Sequence, residues 1–87
     1  MEIIEEILDA EDTDLIVHVT TPICKAHVEC STMDLSINNK ILIINPEDFE
    51  IEIDLTKCKI EAGYLMDDIQ MIELSGGDTK LNIDIIH

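Results

Sequence analysis

Apolar and polar residues alternate in short runs along most of the chain, and this period of two constrains the fold more than any other feature. The clearest run is residues 49–55, where four apolar residues alternate with three acids. Successive side chains of a β-strand point to opposite faces, so this run predicts a strand of an antiparallel sheet with one wet face. The seventeen Ile residues favour the same structure, because β-branched side chains suit strands.

Turn residues separate the runs and predict two hairpins. Asn38 and Asn39 tolerate positive φ, and Ser-Gly-Gly-Asp at residues 75–78 is a second hairpin signal. We count six to seven short strands, which predict a mainly β fold, either a small antiparallel sandwich or a partly open barrel. Seven runs support this count, and residues 57–62 are a further candidate; the seven runs are residues 15–20, 23–30, 33–37, 40–44, 49–55, 69–74 and 79–86.

The first residues follow a different pattern. Ile3, Ile4, Ile7 and Leu8 are spaced as on one face of a helix. Such a short helix is unstable alone, so it has to dock on another surface. With 87 residues in all, we expect one domain, made of an acidic helix-like segment at 1–14 and a β core at 15–87.

The charge excludes several classes of partner. The chain has 20 acids and 5 basic residues, all of them Lys, for a net charge of −15. Nucleic acid and anionic membrane surfaces repel such a chain, and no apolar run approaches the length of a membrane span. The first residues lack the basic region of a secretory signal, and the three Cys are an odd number. These features predict a cytoplasmic protein with reduced thiols.

One motif has metal-like spacing, Cys24-x2-His27-x2-Cys30, with His18 before it and Cys58 after it. In a strand, Cys24 and Cys30 lie about 20 Å apart, too far for one ion or for a disulfide. We therefore expect no metal and no cofactor. Cys24 and Cys30 are instead predicted to face the core as small apolar residues.

Catalytic chemistry has little support in the sequence. Cys24 could pair with His18 or His27, but no third group marks a base, and no nucleophile-elbow motif is present. Residues 9–14 resemble half of a calcium loop without its central Gly or its distal Glu. We therefore expect a protein that is not an enzyme.

The excess of acid has two interpretations. It serves solubility alone, or it imitates the phosphates of a nucleic acid. Glu50, Glu52 and Asp54 would recur about every 6.6 Å along one strand face and form a dense negative row. Tyr64, the only Tyr, lies beside Asp67 and Asp68 and is a candidate apolar anchor.

The sequence thus predicts a non-enzymatic, acidic protein-binding module. The most specific role that we predict is an inhibitor that mimics nucleic acid and occupies the basic surface of a nucleic-acid-binding protein. In bulk properties, though not in any motif, the chain is similar to bacterial toxin-immunity proteins, phage DNA mimics and anti-CRISPR proteins. The predicted partner-binding residues are Glu47, Asp48, Glu50, Glu52, Asp54, Tyr64, Asp67 and Asp68.

The alternative is a small structural or assembly module of a phage or a cell. In that case Ile-rich strands pair edge to edge in a homodimer, and the acid serves only solubility.

Overall fold

The computed structural model describes residues 2–8, 12–47 and 50–86, which form one short helix and eight strands. The predicted mainly β fold with an N-terminal helix is confirmed. The described residues form eight strands, whereas the sequence predicted six to seven. A 3₁₀ helix, Thr32–Asp34, connects β2 to β3. The elements are α1 Glu2–Leu8, β1 Asp14–Thr21, β2 Cys24–Ser31, β3 Leu35–Asn38, β4 Ile41–Ile44, β5 Ile51–Asp54, β6 Lys59–Leu65, β7 Asp68–Gly76 and β8 Thr79–Ile86.

The strands form two antiparallel sheets. The larger sheet has five strands in the order β2-β1-β8-β7-β6, and the smaller has three in the order β3-β4-β5. At the centre of the larger sheet, β1 pairs with β8 so that Val17 lies opposite Ile83, and both are fully buried. The first and last strands of the chain are therefore neighbours in the middle of the larger sheet.

One hydrophobic core joins the two sheets and the helix. Leu42 and Ile44 of the smaller sheet are fully buried, as are Val17 and Ile72 of the larger one. Burying each such side chain contributes about 1.5–3 kcal/mol relative to leaving it in water. Ile4 and Ile7 of α1 are buried in the same core, so the helix docks on its own sheets.

The predicted position of Cys24 in the core is wrong. Cys24 and Ala26 are exposed, and Val28 and Cys30 of the same strand are only half-buried. The reason is that β2 is an edge strand of the five-stranded sheet. The smaller sheet is only three strands wide, and it leaves the inner face of β2 partly uncovered.

The hairpin turn between β3 and β4 lies one residue later than predicted. Its two turn residues are Asn39 and Lys40, both with positive φ, at 55° and 64°. Asn38 is instead the last residue of β3. The turn between β7 and β8 is confirmed, and Gly77 there has a φ of 57°.

Other element boundaries also differ from the predictions. Met33 and Asp34 belong to the 3₁₀ helix rather than to a strand, because Ser31 caps it. The backbone N–H of Met33 donates to Ser31 Oγ at 3.2 Å, and that of Ser31 donates to Asp34 Oδ2 at 2.9 Å. The strand predicted at 57–62 runs instead from Lys59 to Leu65, and Phe49 lies outside the described residues.

We expect Lys40→Gly to stabilise the fold by about 0.5–1 kcal/mol, because a residue with a side chain is strained at positive φ. Asn-Gly is also the preferred pair for such a two-residue turn. Thermal unfolding should show a midpoint higher by about 2–8 °C. The control is Lys40→Ala, which keeps the strain, and an equal rise for Ala and Gly would contradict the explanation.

Candidate functional site

Different segments of the chain form the two ends of the molecule, taken along the direction of the strands. The turns after β1, β3 and β7 lie at one end, which we call the turn end. Two backbone contacts bring these turns together with the segment after β5. The N–H of Leu55 donates to the carbonyl of Lys40 at 3.0 Å. Gly76 lies so close to Lys57 that a Cβ added to Gly76 would be 3.0 Å from the carbonyl oxygen of Lys57. At the opposite end, Thr32 of the 3₁₀ helix donates its N–H to the carbonyl of Thr13 at 3.0 Å.

All five lysines lie toward the turn end. Lys40 and Lys57 lie in the segments that meet there. The other three are linked by cross-strand pairing, which places paired residues on the same face of the sheet. The chain contains no Arg, so the opposite end has neither Lys nor Arg. The paired residues that link Lys25, Lys80 and Lys59 form one row across the five-stranded sheet, in the order Lys25, Thr20, Lys80, Ser75 and Lys59.

Carboxylates near the turn end are partly neutralised. Lys59 Nζ lies 2.8 Å from Glu61, Lys80 Nζ lies 3.5 Å from Glu73, and Lys57 Nζ lies 4.0 Å from Asp54. The hydrogen bond from Lys59 lowers the pKa of Glu61. Such exposed pairs contribute little stability, but they cancel charge locally. The unbalanced part of the net charge therefore lies away from the turn end.

The opposite end carries the unbalanced acid. Glu6, Asp67 and Asp68 border a cleft of about 140 Å³ between α1 and the turn after β6, with Leu15 and Ile69 among its apolar lining. Glu47 and Glu50 belong to the same end by register, because they lie between the end of β4 and the start of β5, beside the 3₁₀ helix. We call this region the acidic end, and its residues are Glu6, Asp12, Asp14, Asp34, Glu47, Glu50, Asp67 and Asp68.

An exposed apolar hairpin tip projects at the acidic end. Tyr64, Leu65 and Met66 have 58%, 63% and 92% of their surface exposed, and we call these three residues the apolar tip. Met66 has a φ of 59°, although it is not Gly. The pairing of β6 with β7 shifts register between Gly63 and Tyr64, so Gln70 of β7 is the extra residue of a β-bulge beside the tip.

The structure separates the predicted partner-binding residues. Glu52 is exposed in the middle of β5, and Asp54 lies toward the turn end. Their alternation with Ile51 and Ile53 is as predicted. Asp48 lies outside the described residues. The members that strand register places at the acidic end are Glu47, Glu50, Tyr64, Asp67 and Asp68.

Asp54 is engaged within its own turn. The backbone N–H and the hydroxyl of Thr56 donate to Asp54 Oδ1 at 3.0 and 2.6 Å. These two hydrogen bonds lower the pKa of Asp54, because they stabilise the ionised carboxylate. Its charge therefore supports the chain reversal after β5 more directly than it serves a partner.

Leu65 and Met66 were absent from the predicted site, as were the acids that come from α1, β1 and the 3₁₀ helix. For the tip, a signal was present in the sequence, because Leu-Met-Asp-Asp places two apolar residues where a turn needs polar ones. For the acids, the signal is missing, since only long-range strand pairing brings Asp34 and Asp67 to the same end.

Cysteine and histidine do not converge on one centre in the described residues. His18 and His27 are cross-strand partners with ring centres 6.0 Å apart, and His18 Nε2 lies 3.2 Å from Asp84 Oδ2. No group of three His, Cys, Asp or Glu side chains in residues 2–8, 12–47 and 50–86 is placed to hold a metal ion. All three cysteines are free thiols.

The described part of the chain contains no helix with the length and apolar character needed to cross a membrane. The chain matches no protein-family model, no curated protein and no solved structure.

We expect Asp54→Ala to lower the urea midpoint at neutral pH, because two donors of Thr56 lose their acceptor. The pKa of Asp54 is lowered by folding, so its contribution is full above the unfolded-state pKa and is lost as the pH falls through the folded-state pKa. The difference from wild type should therefore shrink in acid. Urea titrations at neutral pH and well below the ordinary Asp pKa measure it, and a difference that persists in acid would contradict the assignment.

The three thiols should react with iodoacetamide at different rates, with Cys24 first because it is exposed. Burial, and then the charge of Asp34, raise the pKa of Cys30, while burial and Asp54 raise the pKa of Cys58. The thiolate is the reactive form, so both should react slowly at neutral pH. Mass spectrometry of peptides over time measures the order, and equal rates for all three would show that the assignment is wrong.

Proposed function

We propose that this chain is a non-enzymatic protein-binding module that inhibits a nucleic-acid-binding protein by occupying its basic surface. The observation that carries the proposal is the separation of charge. All five lysines lie toward the turn end, and three of them pair with acids there, which leaves the acidic end unbalanced.

A separated charge gives the molecule a preferred direction of approach. A partner with a basic groove attracts the acidic end, and the lysines at the far end do not oppose the contact. Glu50 belongs to the acidic end, and Glu52 extends the negative row along the exposed edge of β5. Together with the other carboxylates of the acidic end, these two offer a basic groove several negative groups in place of phosphates.

The edges of the larger sheet favour a separate partner over self-association. The edge strand β2 carries Lys25 and Glu29, and the opposite edge strand β6 carries Lys59 and Glu61, all exposed. Charged side chains on edge strands oppose pairing with another copy.

The thiols support a reducing compartment. Cys24 is exposed and free, and oxidising environments favour pairing of such a group with another thiol. We therefore place the inhibitor in the cytoplasm, where its proposed partner also binds nucleic acid.

The test compares two double variants with the same change in net charge. Asp67→Asn with Asp68→Asn removes two charges from the acidic end, and Glu61→Gln with Asp78→Asn removes two elsewhere. Wild-type protein, immobilised, captures proteins from a nuclease-treated lysate, and duplex DNA or RNA is then used to displace them. We expect the first variant to lose about tenfold in affinity for a displaced protein, equivalent to about 1.4 kcal/mol, and the second to lose much less.

Three results would contradict the proposal: equal losses for the two variants, capture that resists both salt and nucleic acid, or a captured protein whose binding of nucleic acid is unaffected by the inhibitor. Recovery of the bait alone, with a dimer by light scattering, would instead support the assembly module.

A further inference from the structure

Met66 combines two unfavourable features at one position. Its side chain is 92% exposed, and its backbone has a φ of 59°, where Gly or Asn is favoured. Neither feature adds stability to this fold. Strained positions in proteins cluster at binding and catalytic sites, so the combination points to a role outside the fold.

Lys40 provides an internal comparison. It also has positive φ in a hairpin turn and is also exposed, but it lies at the turn end and its side chain is charged. The charged side chain of Lys40 is well hydrated in that position, so its exposure needs no partner. At the tip, Met66 follows Tyr64 and Leu65, so three consecutive exposed side chains present apolar surface to solvent.

We propose that Met66 is the anchor of the apolar tip and that the tip inserts into an apolar pocket bordered by Lys or Arg on the partner protein. The inference rests on the proposed function and specifies the partner's surface. Charge complementarity identifies this surface, because Asp67 and Asp68 directly follow Met66 and Glu6 borders the same cleft. A pocket bordered by acids would be repelled.

The hairpin supports the tip rigidly. Ile69 directly follows the acids and is buried in the core, and β7 is paired on both sides, with β6 and with β8. A tip held by ordered strands loses little conformational freedom on binding, which favours affinity. Met itself is unbranched and polarizable, so it adapts to pockets of irregular shape.

A second copy of this chain is a poor occupant for the tip. Symmetric pairing of two tips would bring Asp67 and Asp68 of both copies together at the acidic end, which like-charge repulsion opposes. The surface around the tip therefore favours a basic partner over its own copy.

The test uses Met66→Gly and the matched Lys40→Gly with two synthetic helical peptides as probes. One peptide is amphipathic, with Lys on one face and Leu on the other, and the second has Ala in place of Leu at the same charge. Affinities are measured by titration calorimetry at low and at physiological salt. Thermal unfolding of both variants reports the strain that Gly relieves.

We expect both Gly variants to unfold at a higher temperature than wild type. Only Met66→Gly should weaken binding of the Lys/Leu peptide, by about fivefold or more, while binding of the Lys/Ala peptide should not depend on residue 66. Unchanged affinity of Met66→Gly for the Lys/Leu peptide would overturn the inference. A wild-type dimer that becomes a monomer in Met66→Gly would also overturn it, because the tip would then bind a second copy.

The two proposals fail in different ways. If both peptides bind with equal affinity and the double variant Asp67→Asn with Asp68→Asn weakens the binding of both, the proposed acidic binding surface is supported and the Met66 anchor fails. If Met66→Gly weakens binding of the Lys/Leu peptide but the Asn variant does not, Met66 is an apolar anchor, while the basic border of its pocket and the acidic inhibitor both fail. If neither peptide binds at low salt, both fail.

Discussion

The register of the five-stranded sheet determines where every side chain on it lies. Val17 of β1 lies opposite Ile83 of β8, and both are buried between the sheets. A slip of one residue would turn Leu81, Ile83 and Ile85 of β8 to solvent and Asn82 and Asp84 to the core, so the hydrophobic effect fixes the pairing. The same register aligns Lys25, Lys80 and Lys59 in one row. Core burial and the placement of these lysines thus follow from the register of the whole sheet.

Local sequence patterns predicted the strands and turns well, but they predicted less well which side chains of those strands are buried. Alternation predicted β5, and Gly77 marked the turn before β8, because both depend on neighbouring residues alone. The exposure of Cys24 could not be predicted in this way. Whether an alternating strand is central or at an edge depends on which distant strands cover it, and the sequence of β2 does not contain that information.

The candidate site shows the same division. Tyr64, Asp67 and Asp68 are adjacent in sequence, so their common location was predictable. Glu50 and Asp54 are equally close in sequence, but β5 lies between Glu50 and the turn end, so the two acids lie toward opposite ends. Thr56 also engages Asp54 locally. A sequence pattern predicts on which face of a strand a charged side chain lies. The fold determines at which end of the molecule it lies and whether a lysine neutralises it.

The central pairing of β1 with β8 also bears on how the protein is synthesised. On the ribosome, β1 emerges before β8, and six other strands are synthesised between the two. Until then β1 has β2 on one side and an open edge on the other, with Leu15 and Val17 uncovered. Such long-range pairing slows folding, and it means that the larger sheet cannot close before β8 has been synthesised. The density of acid in the early residues would help to keep the nascent, incomplete sheet apart from its neighbours.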